Sequence, residues 1–127
     1  MFNIKNLNAF IAGYMEAALF AETATTQDGE DLEHLDGYEF NALATHEMRH
    51  HCAEFMDRFP LLLAGVTAAP DYGYIEAGRD LWFTRQGHGV GFWDRGLGKP
   101  GDALSDAARG LGALSLYIDE NNEVGIA

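Results

Sequence analysis

The chain has 127 residues and a formal net charge of −12, from 8 Lys and Arg against 20 Asp and Glu. This length predicts a single domain over residues 1–127, and 47% hydrophobic residues suffice for a packed core. A chain so acidic is not expected to bind nucleic acid directly or to lie on an anionic membrane surface. Its single cysteine, Cys52, excludes an internal disulfide framework and favours a reducing compartment.

The negative charge is concentrated at the start of the chain. The first 48 residues hold nine acids and one lysine, for −8, whereas the remaining 79 hold eleven acids and seven bases, for −4. The stretch Thr25–Gly37 has two glycines and little apolar content, which predicts an exposed loop. We expect acids in and beside this loop to bind a partner. They are Asp28, Glu30, Asp31, Glu33, Asp36 and Glu39.

Two helices are predicted in the first half of the chain. Apolar residues recur with a period near 3.6 over residues 6–22, which indicates an amphipathic helix. Because Glu16 interrupts the apolar run, this segment predicts neither a signal peptide nor a membrane span. A second helix is predicted from Thr45, as N-cap, to about Arg58, where Pro60 ends or kinks it. Its core face would be Met48, Cys52, Phe55 and Phe59.

The runs 79–85 and 89–95 resemble two strands, and Gly87-His88 between them suits a hairpin turn. In that register, two residues lie opposite each other when their residue numbers add up to 175. The resulting pairs are Trp82 with Trp93, Phe83 with Phe92, and Asp80 with Arg95.

Trp82, Trp93 and His88 are candidate partner-binding residues in this predicted hairpin. The two tryptophans would share one face of the sheet, either covered by the helices or displayed to a partner. The opposite face would also be apolar, and a homodimer would be one way to cover it.

The C-terminal third predicts a short helix and further strands. Asp102 is a candidate N-cap, residues 103–109 a helix, and Gly110 its end. Residues 114–119 alternate as a strand, and 124–127 can form another after a turn. The predicted fold is therefore α+β, with two N-terminal helices packed on a three- to four-stranded antiparallel sheet and a short inserted helix.

The string His46-Glu47-Met48-Arg49-His50 matches H-E-x-x-H. On a helix, His46 and His50 would lie on one face and could chelate zinc, with Glu47 activating a bound water. However, this face points away from the predicted core, and no third ligand is evident. An exposed helix face with local i,i+4 pairs is the competing interpretation, and it requires no cofactor.

The segment Ala77–Gly96 resembles a motif of small uncharacterised proteins of tailed phages and prophages, F-W-x-T-R-N/Q-G-H-G-x-G-F-W-D-R. The matching residues run from Leu81-Trp82-Phe83-Thr84-Arg85 to Gly91-Phe92-Trp93-Asp94-Arg95, with Leu81 where the pattern has Phe. The resemblance implies a phage context, and hence the cytoplasm of a host cell, but no particular activity.

Three functions remain open at this point. The first is a non-enzymatic interaction protein that binds a host or defence protein, including a basic nucleic-acid-binding protein that it engages by nucleic-acid mimicry. The second is a small zinc hydrolase that uses Glu47 as catalytic base. The third is a structural or assembly component of a phage particle.

Overall fold

The computed structural model describes residues 3–127 and contains five α-helices in that range. Asn3 caps the first helix by accepting the Lys5 amide, and Asn41 caps the second by accepting the Ala44 amide. The helices are α1 (Ile4–Ala21), α2 (Ala42–Arg58), α3 (Pro60–Val66), α4 (Tyr74–Gln86) and α5 (Gly98–Arg109), with a single 3₁₀ turn at Phe92–Asp94.

Four short strands form two antiparallel hairpins. They are β1 (Ala24–Thr25) with β2 (Asp31–Leu32), and β3 (Leu116–Ile118) with β4 (Val124–Ile126). The predicted α+β class is therefore confirmed, but the predicted three- to four-stranded sheet is wrong. Within residues 3–127, each sheet has only two strands.

Helices α1 and α4 form the centre of the molecule, and their backbones touch. A Cβ atom at Gly13 would overlap the carbonyl oxygen of Ile75, and one at Gly78 would overlap that of Phe10. Only glycine permits so close an approach at these two positions. The crossing buries the Tyr14 and Trp82 rings edge to face, with their centroids 5.2 Å apart.

The predicted hairpin at 79–95 is wrong, because its first half is helix α4. This helix is buried on more than one side. Leu81 and Trp82 are in the core, while Thr84 Oγ1, on another side, accepts the Phe92 amide. Because α4 is packed on several sides, it has no continuous polar face, and its apolar residues do not show a clear 3.6-residue period. Its Leu-Trp-Phe run is also typical of a β-strand.

Other predicted boundaries differ by at most five residues. Helix α2 begins at Ala42 because Asn41, rather than Thr45, is the N-cap. Pro60 opens α3 as its first residue, which suits its fixed φ angle and missing amide proton. Helix α5 begins at Gly98 instead of 103 but ends before Gly110 as predicted. The predicted C-terminal strands are confirmed by β3 and β4.

Candidate functional site

The acidic segment, defined as residues 26–39, carries all six of the predicted partner-binding acids on the surface. Each of them is exposed. Within residues 3–127, no Lys or Arg nitrogen lies within 4.0 Å of any of these six carboxylates. The nearest basic group in an ion pair is His34, whose Nδ1 is 3.6 Å from Asp36. The segment therefore presents negative charge that the fold does not neutralise.

The backbone of the acidic segment is nevertheless held firmly. Leu35 is fully buried against Ile118 and Val124 of the C-terminal hairpin, and its amide donates to the Leu19 carbonyl oxygen at 2.7 Å. The Gln27 side chain donates to the Ile118 carbonyl oxygen at 2.8 Å. The expected loop is thus a folded element anchored at several points. Because the backbone that carries these carboxylates is already fixed, less conformational entropy is lost when a partner binds.

An apolar groove lies beside the acidic segment. It has a volume of about 410 Å³ and is lined by Glu16, Ala17, Phe20, Asp36, Arg79 and Phe83. Phe20 is 66% exposed although it stands near the end of α1. Arg79 is already paired, because its guanidinium donates to Glu16 Oε1 at 2.8 Å.

Phe20 is one of the periodic apolar residues in the predicted helix 6–22 and was therefore expected in the core, but its ring is exposed. At 3.6 residues per turn, Phe20 lies about 80° around α1 from buried Phe10, on the side away from Ile11 and Tyr14. The angular position of Phe20 was therefore a signal of its exposure.

Trp82 is in the core and is not available to a partner. It is fully buried, and its indole Nε1 donates to Glu22 Oε2 at 3.0 Å. Trp93 is 37% exposed and does not stack on Trp82; the Arg109 guanidinium lies 5.1 Å from the centre of its ring. The two predicted partner-binding tryptophans are therefore separated, and only Trp93 reaches the surface.

His88 is partly exposed and serves as a tie between α1 and the loop after α4. Its Nε2 lies 2.6 Å from Glu22 Oε2, the same oxygen that accepts from Trp82. Its ring packs edge to face on Phe83, with centroids 5.9 Å apart. Gly87, which precedes it, caps α4 in the left-handed region at φ 75°.

The segment Ala77–Gly96 is called the clamp segment here, because its polar side chains join distant parts of the chain. Gln86 bonds both backbone groups of Leu114, at 2.8 Å and 2.6 Å. Asp94 accepts the Gly91 amide at 3.1 Å, which closes the 3₁₀ turn. These hydrogen bonds give the clamp segment a structural role in the fold.

The predicted contact between Asp80 and Arg95 is present, although it joins a helix to a turn. Asp80 is 1% exposed, and Arg95 binds both of its carboxylate oxygens, with a shortest distance of 2.9 Å. The Tyr72 hydroxyl donates to the same carboxylate at 2.8 Å. Burial and the neighbouring Asp80 charge raise the pKa of Tyr72, so this hydroxyl stays protonated as a donor.

The HEMRH helix does not assemble a metal site in the part of the chain that the structure describes. His46 and His50 are exposed, and His50 Nε2 is 3.3 Å from Glu54 Oε2. No group of three or more His, Cys, Asp or Glu in residues 3–127 is arranged to hold an ion. Since zinc needs three protein ligands in catalytic sites, we derive no hydrolytic step for Glu47.

Comparison with known proteins adds no relative from which a role could be carried over. No protein-family model matches the chain, and neither the curated proteins nor the solved structures contain a match to it. None of the helices in residues 3–127 has both the length and the apolar character required to cross a membrane.

Proposed function

We propose that this chain is a non-enzymatic interaction protein that binds a basic surface of another protein. The acidic segment and Phe20 together would form the contact. The observation that carries the proposal is the set of six exposed carboxylates without a Lys or Arg partner, mounted on a backbone anchored through Leu35. By contrast, Asp80 and Glu16, which connect elements of the fold, each pair with an arginine.

The two parts of this surface would have different roles. Unpaired carboxylates attract a basic partner over about 8 to 10 Å at physiological salt, and they increase the association rate. Phe20 and the groove beside it supply apolar area that can be removed from water, and aromatic anchors of this kind dominate the affinity of many interfaces. A partner would therefore carry Lys or Arg around an apolar residue.

A nucleic-acid-binding protein is the partner class that fits this chemistry best. A groove that binds phosphates presents rows of Lys and Arg, and carboxylates in fixed positions can occupy it. The phage motif that the clamp segment resembles would fit a partner in a host cell, where defence proteins that bind nucleic acid are candidates. In that case the interaction would take place in the host cytoplasm.

The test compares two variants of equal charge. The first replaces the six acids of the acidic segment by their amides, which changes the net charge from −12 to −6. The control replaces six acids elsewhere on the chain and reaches the same charge. These are Asp57, Asp71, Asp102, Asp106, Glu120 and Glu123. Each protein, immobilised, is exposed to a bacterial host lysate and washed at low and at high salt.

We expect the wild type and the control variant to retain the same basic, nucleic-acid-binding protein, with duplex DNA competing for it. The variant in the acidic segment should lose at least about 90% of the capture, because the six charges that contact the partner are gone. Equal losses in both variants would show that only net charge matters. Capture that DNA does not reduce would reject the mimicry form of the proposal.

A further inference from the structure

Arg85 is a buried cation that makes no ion pair within residues 3–127. It is 7% exposed, and no carboxylate of residues 3–127 lies within 4.0 Å of its guanidinium. Its nitrogens donate to Tyr14 Oη at 2.9 Å and to the carbonyl oxygens of Gly112 and Leu111 at 2.8 and 3.2 Å. A guanidinium has five N–H groups, so about two have no acceptor in the described chain.

A cavity of about 80 Å³ opens beside this guanidinium. It lies between α2 and the loop after α5, and its lining residues are His51, Glu54, Phe55, Arg58, Arg85 and Leu111. A single water needs roughly 10 to 15 Å³ of such space, so the cavity has room for a ligand of about four to six non-hydrogen atoms. Burying a charged group without a counter-ion is unfavourable in free energy, so a small anion bound beside Arg85 would stabilise the buried guanidinium.

The groups around the cavity carry a net positive charge in an otherwise acidic protein. Arg85 and Arg58 are cationic, whereas Glu54 is anionic but lies at the exposed rim and pairs with His50 at 3.3 Å. Burial and the charge of Arg85 lower the pKa of His51, so its imidazole is neutral at pH 7. The site therefore has an excess of about one positive charge.

We propose that this cavity binds a small monocarboxylate with a short hydrocarbon tail, a molecule of the size of butyrate. The carboxylate would accept the free N–H groups of Arg85 in a charge-assisted bond. The tail would lie against the Phe55 ring and the Leu111 side chain, which form the apolar wall. Glu54 at the rim disfavours a dianion such as phosphate. This site is independent of the acidic segment and of the proposed docking function.

The first experiment titrates the full chain with butyrate, with its neutral isostere butyramide and with inorganic phosphate, at constant ionic strength. Amide chemical shifts of residues around α2 and Leu111 report the binding. We expect butyrate to bind at least about tenfold more tightly than either competitor, because only butyrate matches both the cation and the apolar wall. Equal affinities for butyrate and butyramide, or tighter binding of phosphate, would overturn the proposal.

Variants at the rim test the site without disturbing buried Arg85. Leu111→Trp fills the cavity from a position that is 38% exposed, and it should weaken butyrate binding by about tenfold or more. Arg58→Gln removes one cation and should weaken it by about threefold. The control is Arg109→Gln, an exposed arginine that pairs with Asp106 outside the cavity. Unchanged affinity in Leu111→Trp, or an equal loss in the control, would reject this site.

Discussion

The acidic segment and the clamp segment are both rich in polar side chains, but they use them in opposite ways. In the clamp segment, Asp80 and Gln86 bond Tyr72 and Leu114, which lie outside it, and Asp94 closes its own 3₁₀ turn. In the acidic segment, by contrast, six carboxylates face solvent without a Lys or Arg partner in residues 3–127. The comparison separates polar residues that hold the structure together from those available to a partner. Substitutions in the two segments should accordingly have different consequences.

The largest effect is expected from Gly78→Ala in the clamp segment. The new methyl group would overlap the Phe10 carbonyl oxygen, so α1 and α4 would have to move apart. We expect a loss of about 3 kcal/mol or more in the free energy of unfolding, measured by urea denaturation. Gly65→Ala in α3 is the control, because in residues 3–127 nothing beyond its chain neighbours and its own helix backbone lies within 4 Å of the new Cβ. This control should be stabilised by about 0.5 to 1 kcal/mol, and a similar loss in both variants would contradict the packing described.

The next largest effect is expected from Arg95→Met. The substitution would leave the Asp80 carboxylate buried without its counter-charge and with only Tyr72 as a hydrogen-bond donor. Leaving one member of a buried pair uncompensated destabilises proteins by about 3 kcal/mol, and we expect a loss near that value in urea denaturation. Arg109→Met, at an exposed pair, should lose less than about 1 kcal/mol. The account of Asp80 would be wrong if the two losses were equal.

Trp82→Phe and Trp93→Phe test the assignment of one tryptophan to the core and the other to the surface. Trp82→Phe removes buried volume and the donor to Glu22, so we expect a loss of about 2 kcal/mol. Trp93→Phe should lose about 0.5 kcal/mol, because its ring is 37% exposed. Thermal denaturation of both variants measures the difference. A larger loss for Trp93→Phe would place the wrong tryptophan in the core.

A smaller effect should appear in the pH dependence of stability through His51. Its pKa in the folded state is lowered from 6.5, mainly by burial and then by Arg85. The unfolded chain therefore binds a proton at His51 more tightly than the folded chain does. The stability that neutral His51 contributes is present above pH 6.5 and is lost as the pH falls through the lower, folded pKa.

Urea denaturation from about pH 7.5 to pH 5 should therefore show a steeper loss of stability in the wild type than in His51→Gln. Glu47, Glu54, His50 and Arg85 also face this imidazole, and they are the same in both proteins. If His51→Gln loses stability as steeply as the wild type, the lowered pKa of His51 does not cause the pH dependence.

The sequence predicted the parts of the fold that have one buried face. Helix α1 and the hairpin β3–β4 follow simple periods of burial, and the loop acids were correctly expected to be exposed. Helix α4 could not be found in this way, because it is buried on several sides and its Gly78 serves the contact with α1. The groove at Phe20 and the unpaired charge of Arg85 result from contacts between residues that are far apart in the sequence. Local sequence patterns do not encode such contacts.

The central claim is that the charges of the acidic segment serve recognition and are not required for folding, although Asp31 Oδ1 accepts the Thr25 hydroxyl at 2.9 Å. Urea denaturation of the six-amide variant Asp28→Asn, Glu30→Gln, Asp31→Asn, Glu33→Gln, Asp36→Asn, Glu39→Gln tests it without knowledge of the partner. We predict stability equal to that of the wild type or higher by up to about 1 kcal/mol, because the substitutions relieve repulsion among like charges. A loss of more than about 2 kcal/mol would show that these acids hold the fold together, as the clamp segment does, and would contradict the claim.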